Sequence, residues 1–386
     1  MNMSKLTSSR EERGQAIAQG NGQVRRIDEN HYAVKSQSRH GEYIVSRQGE
    51  EWVCECPDNH WRHTICKHIY AVDFSVQMRK EVLAHGQVIK EVNISNCRFC
   101  GSSNLKKDGL RKNKCGTIQK FYCRDCHHYF TVNIGFERMK HNPQAVTTAM
   151  QLYFSGESLR NTQKSLKLLG IEVSYKTIFM WIKKYCSLMQ EYVETLKPNV
   201  SDTWRADEIF IKISGNQKYL FAMMDDETRF WIAQEVAETK YQHDARNLLR
   251  MSKELMDKKP LTFITDGLFS YNEAYKQEFY SKKNPRTQHI RHITIRGDKN
   301  NNKMERMNGE IRDREKTMRG LKIKETPILT GYQVFHNYVR PHMALNGKTP
   351  AEACGITVKG KDKWLTLIQN ASQQTKSNME MKQTQR

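Results

Sequence analysis

Apolar and polar positions alternate differently along the chain and divide it into three parts. Period-two alternation predicts short strands at residues 32–36, 42–47 and 51–56, followed by an apolar helix over residues 69–78. Residues 140–190 instead repeat apolar positions at helical spacing. We therefore expect a small β-rich unit at the start, an all-helical middle, and a third part in which both patterns occur.

The third part begins near residue 200 with strands predicted at residues 204–214, 218–225 and 229–236. Three strands in direct succession favour an antiparallel meander. The remaining elements are predicted as a helix at 244–257, strands at 260–265 and 292–295, and a polar loop running into a helix over 297–316. This order predicts one mixed sheet of five strands covered by helices.

Two serines and a glycine mark helix ends within the middle part. Ser158 can cap one helix, Gly170 can end it, and Ser174 can cap a second helix. Helix, glycine turn and helix in this length predict a helix-turn-helix over residues 138–190, although the pattern alone fits an ordinary helical hairpin equally well. The second helix of a helix-turn-helix would present Tyr175, Lys176 and Lys183 to DNA.

The charge balance indicates a polyanionic partner. The chain carries 63 Lys and Arg against 42 Asp and Glu, a formal net charge of +21. Residues 101–190 hold 15 basic and 5 acidic residues, whereas residues 1–100 hold 14 and 12. This distribution favours nucleic acid as the partner and residues 101–190 as its main contact. No apolar run reaches the ~18 residues of a membrane span and the N-terminus lacks an apolar signal segment, so we expect a cytoplasmic protein without membrane contact.

Cysteines in a reducing cytoplasm indicate metal ligands more often than disulfides. A C-x-C-x9-C-x-H pattern is formed by Cys54, Cys56, Cys66 and His68. Two close ligand pairs joined by a loop suit the tetrahedral preference of Zn²⁺. With the strands before it, this pattern resembles the SWIM zinc finger over residues 20–78, a module associated with DNA or protein contacts.

A second set follows in a C-x2-C-x22-C-x2-C pattern, formed by Cys97, Cys100, Cys123 and Cys126. Two such knuckles around a short hairpin predict a zinc ribbon over residues 93–132. Lysines and arginines interleaved with it suit contact with DNA phosphates. Outside these sets, Cys115 is interpreted as spare, and Cys186 and Cys354 as buried apolar residues.

The third part of the chain carries three acidic residues on or directly after its predicted elements. Asp207 lies on its first strand, Asp266 directly follows its fourth strand, and Glu305 lies on its last helix. Converging carboxylates repel unless cations lie between them, so we expect two Mg²⁺ or Mn²⁺ ions. Arg312 is two turns beyond Glu305 and shares its helix face, although a charged helix taken alone is typical of a solvated surface. Glu208 is predicted to point to the opposite face of the strand from Asp207.

This order of strands, helices and acids is that of an RNase H-like fold. Residues 200–356 resemble the catalytic core of DDE transposases of insertion sequences, within the retroviral-integrase-like superfamily. The resemblance is carried by W-R-A-D-E, F-I-T-D-G, N-N-K-M-E-R-M-N-G-E-I-R-D-R-E-K and the tail N-Y-V-R-P-H-M-A-L-N-G-K-T-P-A-E-A. It implies Asp207, Asp266 and Glu305 as the metal-binding acidic triad and Arg312 as a contact to DNA phosphate. It also implies a double-stranded DNA substrate, at least a dimer in the synaptic complex, and a nucleoid-associated protein of a bacterium or archaeon.

The sequence thus predicts a transposase that binds the terminal inverted repeats of a mobile element and catalyses Mg²⁺-dependent DNA cleavage and strand transfer. Two alternatives stay open: an RNase H-like nuclease without strand transfer, and a DNA-binding regulator with an inactive core. The predicted chain is multidomain, an α/β RNase H-like core preceded by two zinc modules and an all-α segment. Its boundaries are a polar tail at 1–19, a SWIM-like finger at 20–78, a helical linker at 79–92, a zinc ribbon at 93–132, a helix-turn-helix at 138–190, the core at 200–356 and a polar tail at 357–386.

Overall fold

The computed structural model describes residues 9–384, except residues 21, 29, 39–40, 85, 93, 98, 114–115, 132, 138, 283–285, 292–300 and 319–326. The described chain forms an N-terminal unit, a cysteine-rich three-stranded sheet, and a larger body that holds the helical segment and a five-stranded sheet. No helix among these residues is both long enough and apolar enough to cross a membrane.

The N-terminal unit is a four-stranded antiparallel meander with helices packed on it. Its elements are α1 (Ser9–Gln19), β1 (Val24–Arg26), β2 (His31–Lys35), β3 (Glu42–Gln48), β4 (Glu51–Cys54), α2 (Pro57–Arg62) and α3 (Lys67–Ala84). The strands pair in the order β1-β2-β3-β4. The expected polar tail at residues 1–19 is wrong from Ser9 onward, because α1 packs closely on α3. A Cβ added to Gly14 would lie 2.4 Å from the Cβ of Tyr70, and Ile17 is buried.

A short strand and the cysteine-rich sheet follow. They comprise β5 (Gln87–Ile89), β6 (Leu105–Asn113), β7 (Gly116–Cys123) and β8 (Tyr129–Thr131). β6, β7 and β8 form an antiparallel sheet in which the rings of Phe121 and Phe130 stack with centroids 5.7 Å apart. The expected helical linker at 79–92 is wrong in its second half, since β5 is a strand that pairs in parallel with Ile356–Val358 and buries Ile89.

The helical segment consists of α4 (Pro143–Ser155), α5 (Leu159–Leu168) and α6 (Tyr175–Val193). The predicted caps are confirmed: Ser158 Oγ accepts from the backbone N–H of Asn161 at 3.1 Å, and Ser174 Oγ accepts from that of Thr177 at 3.2 Å. Gly170 follows the end of α5 with a φ of +76°, a conformation that costs glycine little.

The five-stranded sheet has the strand order expected for an RNase H-like fold. Its elements are β9 (Thr203–Ile213), β10 (Asn216–Asp225), β11 (Trp231–Ala237), α7 (Gln242–Met256), β12 (Thr262–Thr265), α8 (Phe269–Glu278) and β13 (Gln288–Arg291). The order across the sheet is β11-β10-β9-β12-β13, with β9–β11 antiparallel and β12 and β13 parallel to β9. The strand expected at 292–295 lies outside the described residues, and β13 ends immediately before them.

The last part of the chain wraps back onto the helical segment. It contains α9 (Asn302–Met318), α10 (Pro327–Val334), a π-helical turn (Phe335–Val339), α11 (Pro350–Ala353), β14 (Ile356–Val358) and α12 (Lys363–Thr384). The expected polar tail at 357–386 is wrong for most of its length. Trp364, Leu367 and Ile368 are buried, because their spacing of three and four residues forms one apolar face of α12.

The helical segment and the five-stranded sheet share one apolar core, so residues 190–200 do not separate two independent bodies. Trp181 and Tyr185 of α6 belong to the same buried cluster as Trp204 of β9. α10 lies against α6 so closely that a Cβ added to Gly331 would be 2.3 Å from Cys186 Sγ. The orientation of α6 relative to the sheet is therefore set by packing.

Candidate active site

Asp207 and Asp266 lie side by side on neighbouring strands. Asp207 lies within β9, and Asp266 directly follows β12, which runs parallel to β9 with Ile264 opposite Arg205. Because both acids are two residues beyond this pair, the register brings their carboxylates together where β12 ends. Asp266 is exposed and accepts a hydrogen bond from the backbone N–H of Leu268 at 3.1 Å, whereas Asp207 is buried.

The electrostatics of this pair call for a cation. Burial raises the pKa of Asp207 to about 7, and the negative charges of Glu208, Asp266 and Glu305 contribute to the rise. A carboxyl that is buried beside other carboxylates ionises at a free-energy cost, which a divalent cation would remove.

Glu208 belongs to the same group, although strand alternation predicts that it points to the opposite face of β9 from Asp207. Carboxylate oxygens of Asp207, Glu208 and Asp266 all lie within 4.8 Å of one another. The ladder between β9 and β12 ends at Arg205, so the longer glutamate side chain can reach the opening between the two strands. The side chain of Glu208 is only 4% exposed, and its Oε1 accepts a hydrogen bond from Lys240 Nζ at 2.9 Å.

Helix α9 packs on β9 and orients Asp207. The carbonyl of Asn301 accepts from the backbone N–H of Glu305 at 3.1 Å and so begins the helix. Asn308 Nδ2 then donates to Asp207 Oδ2 at 2.7 Å, with both side chains buried. Glu305 and Arg312 are exposed on the same helix. The charge of Glu305 acts on Asp207, but among the described residues Glu305 is outside the 4.8 Å group.

A buried ion network holds the first turn of α9. Asp226, in the turn between β10 and β11, accepts from Arg205 Nε and, at 2.8 Å, from Lys303 Nζ. Burial opposes the charge of Asp226, but Lys303 and Arg205 outweigh it and hold the pKa of Asp226 below its ordinary value. Since Lys303 is two residues before Glu305, this network positions the part of the helix that carries the third acid of the expected triad.

The next residue in that turn, Glu227, binds the N-terminal unit. Both terminal nitrogens of Arg79 on α3 pair with the Glu227 carboxylate, whose side chain is only 5% exposed. The backbone N–H of Arg26 also donates to Glu227 Oε1 at 3.3 Å. The turn between β10 and β11 therefore binds both α9 and the N-terminal unit, through its consecutive residues Asp226 and Glu227.

The carboxylates fit a hard divalent cation. Mg²⁺ binds oxygen at about 2.1 Å, so ligands on opposite sides of the ion are about 4.2 Å apart. The three carboxylate oxygens lie within 4.8 Å of one another, so small side-chain movements would bring them around one ion. An all-oxygen donor set is also the one that Mg²⁺ and Mn²⁺ prefer.

The first cysteine set fits zinc. The thiol sulfurs of Cys54 and Cys66 lie 3.8 and 3.9 Å from His68 Nδ1, and Cys56 Sγ completes a group of four ligand atoms within 4.8 Å of one another. A tetrahedral zinc with Zn–S bonds of ~2.3 Å would separate its sulfur ligands by about 3.8 Å. The four side chains are buried, as suits a closed structural site.

The second cysteine set has the same geometry. The sulfurs are 3.6 Å apart in both the Cys97–Cys126 and the Cys100–Cys123 pair, and all four lie within 4.8 Å of one another. These distances also match the edges of a zinc tetrahedron. Of the other cysteines, Cys186 and Cys354 are buried as predicted, and Cys115 lies outside the described residues.

The residues expected to contact DNA lie together at the start and middle of α6. Tyr175, Lys176 and Lys183 are all exposed. The guanidinium of Arg160 on α5 lies 5.5 Å from the centroid of the Tyr175 ring, which adds a further positive charge to this surface.

Sequence patterns predict one further residue of the site and miss another. Asn308 lies three residues after Glu305, and this spacing predicts it between Glu305 and Arg312 on one helix face. Glu208 has no such signal, because strand alternation directs it away from Asp207 and only the end of the β9–β12 pairing shows that it reaches the group.

Comparison with known proteins identifies two segments of the chain. Residues 201–342 match a DDE domain family, and residues 43–72 match the SWIM zinc finger family. Over 137 residues the chain is 26% identical to the transposase for insertion sequence-like element IS431mec of Staphylococcus aureus strain Mu50, and to the transposase for insertion sequence element IS257 in transposon Tn4003 of Staphylococcus aureus. These alignments cover 34% of this chain and 58% of each relative, so the chain spans little more than half the length of the curated relatives it matches.

Solved structures give weaker similarities. The HTLV-2 integrase catalytic core domain in complex with magnesium, in its dimeric form, aligns at a TM-score of 0.29 and 15% identity over 41% of this chain and 97% of that one. The simian T-cell lymphotropic virus intasome in complex with PP2A regulatory subunit B56 gamma aligns at a TM-score of 0.31 and 13% identity over 53% and 72%. The fold assignment rests instead on the strand order. The family matches thus show that residues 201–342 are similar to a DDE domain and that residues 43–72, nearer the N-terminus, are similar to a SWIM zinc finger.

Proposed function

We propose that this protein is a DNA transposase that binds the terminal inverted repeats of a mobile element and catalyses Mg²⁺-dependent strand cleavage and strand transfer. The observation that carries this proposal is the Asp207–Asp266 pair on neighbouring parallel strands, with Glu305 on the helix packed against them, inside the segment that matches a DDE domain. The transposases of Staphylococcus aureus to which this chain is similar over 137 residues support it.

In this proposal Asp207, Asp266 and Glu305 hold two Mg²⁺ or Mn²⁺ ions. Such ions activate the attacking oxygen and stabilise the departing 3′ oxygen of a phosphodiester. The protein fixes the geometry beforehand. Asn308 donates to one oxygen of Asp207 and the backbone N–H of Glu208 donates to the other at 3.0 Å, which holds this carboxylate in one orientation before DNA binds.

The DNA itself is held by cationic side chains. Arg312, exposed two turns beyond Glu305, binds a phosphate near the reacting one. Hydrolysis of the first strand frees a 3′-OH, and this hydroxyl then attacks the target DNA. A guanidinium beside the reacting phosphate also offsets the negative charge that two DNA segments bring into one site.

Recognition of the element ends is assigned to the modules before the catalytic domain. The helix-turn-helix would place Tyr175, Lys176 and Lys183 toward the inverted repeat. Two structural zinc ions would hold the SWIM finger and the ribbon in shape. Two ends must be joined in one complex, so the active form is a homodimer or larger. We assign it to the cytoplasm of a bacterium or archaeon, where it would associate with the nucleoid.

A strand-transfer assay tests the proposal. A pre-cut element end is incubated with target plasmid, full-length protein and Mg²⁺, and joined product is the expected result. Cleavage without any joined product would favour the nuclease. The variant Asp207→Asn should lose both reactions, and if every DNA-dependent activity survived in it, a DNA-binding regulator would be the better assignment. Asp313→Asn is the matched control, because Asp313 lies on α9 with a side chain 79% exposed.

A further inference from the structure

Three charged side chains, Lys303, Arg306 and Glu310, form a row along one face of α9. At one end of the row Lys303 donates to Asp226 at 2.8 Å. At the other end Glu310 accepts from both terminal nitrogens of Arg340. Arg306 lies between them, about one turn from each. It is exposed, and its guanidinium has no hydrogen bond or ion pair within the described residues.

Arg229 is a second arginine of this kind and lies just before β11. Its side chain is half-buried, and in the described part of the chain its guanidinium also lacks a hydrogen bond or an ion pair. Two carboxylates, Asp226 and Glu310, attract its charge, but both are already bound by other cations. The charge of Arg306 opposes that of Arg229, so the two guanidinium groups are near neighbours.

The backbone holds Arg229 in this place. Its φ is +57°, in the left-handed region that is unfavourable for a residue with a Cβ. Its N–H donates to the carbonyl of Asp225 at 3.0 Å, and its carbonyl accepts from His336 Nε2 at 2.9 Å. Backbone strain of this kind is concentrated at ligand-binding and catalytic sites. The position of this arginine is therefore fixed by the turn and not by contacts of its own guanidinium.

The two arginines fit an anion that offers several oxygens. Burial lowers the pKa of Arg229, and the positive charges of Arg306 and Arg205 lower it further against the attraction of Asp226. An anion placed between the two arginines would offset this repulsion. Each guanidinium presents a fork of N–H donors that matches the oxygens of a phosphate. In a protein of net charge +21, such a pair suits the phosphate backbone of DNA.

We propose that Arg229 and Arg306 bind one backbone phosphate of DNA between them. This inference rests on the proposed function and adds a second phosphate contact to the one assigned to Arg312. Arg306 and Arg312 are six residues apart, or about 9 Å along the helix and about 120° around it. The two side chains therefore leave α9 in different directions and bind different phosphates. The pair holds either the element end away from the cut or the target DNA, which are the two segments that strand transfer brings together.

Two DNA assays with the full-length protein test the inference and identify the DNA segment. In the first, binding of a labelled duplex that carries the pre-cut element end is followed by fluorescence anisotropy without Mg²⁺ at several salt concentrations. The logarithm of the binding constant falls by about 0.9 per decade of salt for each phosphate that the protein neutralises. In the second, the joining of this end in Mg²⁺ gives the target plasmid concentration that is needed for the half-maximal rate.

The double variant of Arg229→Gln and Arg306→Gln has a distinct expected result for each segment. If the phosphate belongs to the element end, this variant should lose about 0.9 from the salt slope. If the phosphate belongs to the target, the half-maximal plasmid concentration should rise roughly ten-fold or more. The matched control Arg250→Gln removes an exposed arginine of α7 that contacts Asn247 at 3.3 Å, and it should behave as the wild type in both assays.

The outcomes separate the inference from the proposed function. Wild-type values of the double variant in both assays would overturn the inference while the transposase proposal stands, and so would an equal effect of Arg250→Gln. A loss of about 1.8 from the slope would mean two separate phosphates and would refute the shared one. A wild type that binds the element end but joins no product would contradict the proposed function, and the salt slope would then decide on the arginine pair.

Arg306→Gln alone gives an independent reading should the double variant not fold, as judged by thermal melting, because the side chain of Arg306 is exposed. It should weaken binding of the element end, or raise the half-maximal plasmid concentration, by roughly ten-fold. Arg306→Lys should recover part of this loss, because lysine binds phosphate as a point charge. Wild-type behaviour of Arg306→Gln, or a lysine variant no better than the glutamine variant, would contradict the inference.

Discussion

Replacing Asp207 by Asn is expected to change how the stability of the metal-free protein depends on pH. The pKa of Asp207 is raised from 3.8 to about 7 in the folded protein, first by burial and then by the charges of Glu208 and Asp266. Between these two values the folded state holds a proton that the unfolded state has lost. The wild type therefore loses stability as the pH rises through this range, and the loss is complete above pH 7.

The size of the effect follows from the shift. Each pH unit within the range lowers the free energy of unfolding of the wild type by about 1.4 kcal/mol. Between pH 5.5 and pH 8 the wild type should therefore lose about 2 kcal/mol of this free energy relative to Asp207→Asn, whose side chain at position 207 cannot titrate. For a body of this size, that difference corresponds to roughly 4–8 °C in melting temperature. The asparagine variant should be the more stable protein at pH 8, and its advantage should shrink as the pH falls.

The assay is thermal melting of both proteins at several pH values in resin-treated buffer without soluble chelator. Asp313→Asn, on the exposed side of α9, should track the wild type across the range. Saturating Mg²⁺ should restore the wild type at pH 8 and leave Asp207→Asn unchanged, because the ion binds the ionised carboxylate. The account of the acidic group would be refuted if the melting temperature of the wild type rose relative to that of Asp207→Asn with rising pH. It would also be refuted if the difference between the two melting temperatures did not depend on pH.

Three further changes have expected outcomes. Asn308→Ala leaves Asp207 Oδ2 buried without its donor, so melting should show a loss of about 1–3 kcal/mol and strand transfer should slow; wild-type values of both would contradict the role given to this amide. Arg79→Met leaves the buried carboxylate of Glu227 without its charged partner and should cost about 1–3 kcal/mol, seen as faster proteolysis between the N-terminal unit and the core; equal effects in the exposed control Arg62→Met would argue against this contact. Elemental analysis should find about two zinc ions per chain and about one in Cys54→Ser; no zinc in the wild type would remove both zinc assignments.

Local patterns predicted the parts of this fold that depend on neighbouring residues. The caps at Ser158 and Ser174 are set by a hydroxyl and an amide three residues apart, and the meander of β9, β10 and β11 follows from alternation joined by short turns. The positions of Asp207 and Asp266 could be predicted because Asp207 lies within a predicted strand and Asp266 directly follows another.

Contacts between distant segments could not be predicted in this way. α1 is polar overall, and only its packing against Tyr70 shows why it is ordered. β5 acquires its strand partner from residues 356–358, more than 250 residues later. Glu208 reaches the acidic group because the pairing between β9 and β12 ends at Arg205. The residues next to Glu208 in the sequence give no sign of where this pairing ends.

The turn that carries Asp226 and Glu227 limits how this protein can be rebuilt from parts. Asp226 anchors the start of α9 through Lys303, and Glu227 anchors α3 through Arg79. The N-terminal unit is therefore not a portable module: a graft from another protein would bury Glu227 against an unmatched surface unless the graft also supplies an arginine at the place of Arg79. Chimeras of this protein should accordingly exchange the N-terminal unit and the β10–β11 turn together.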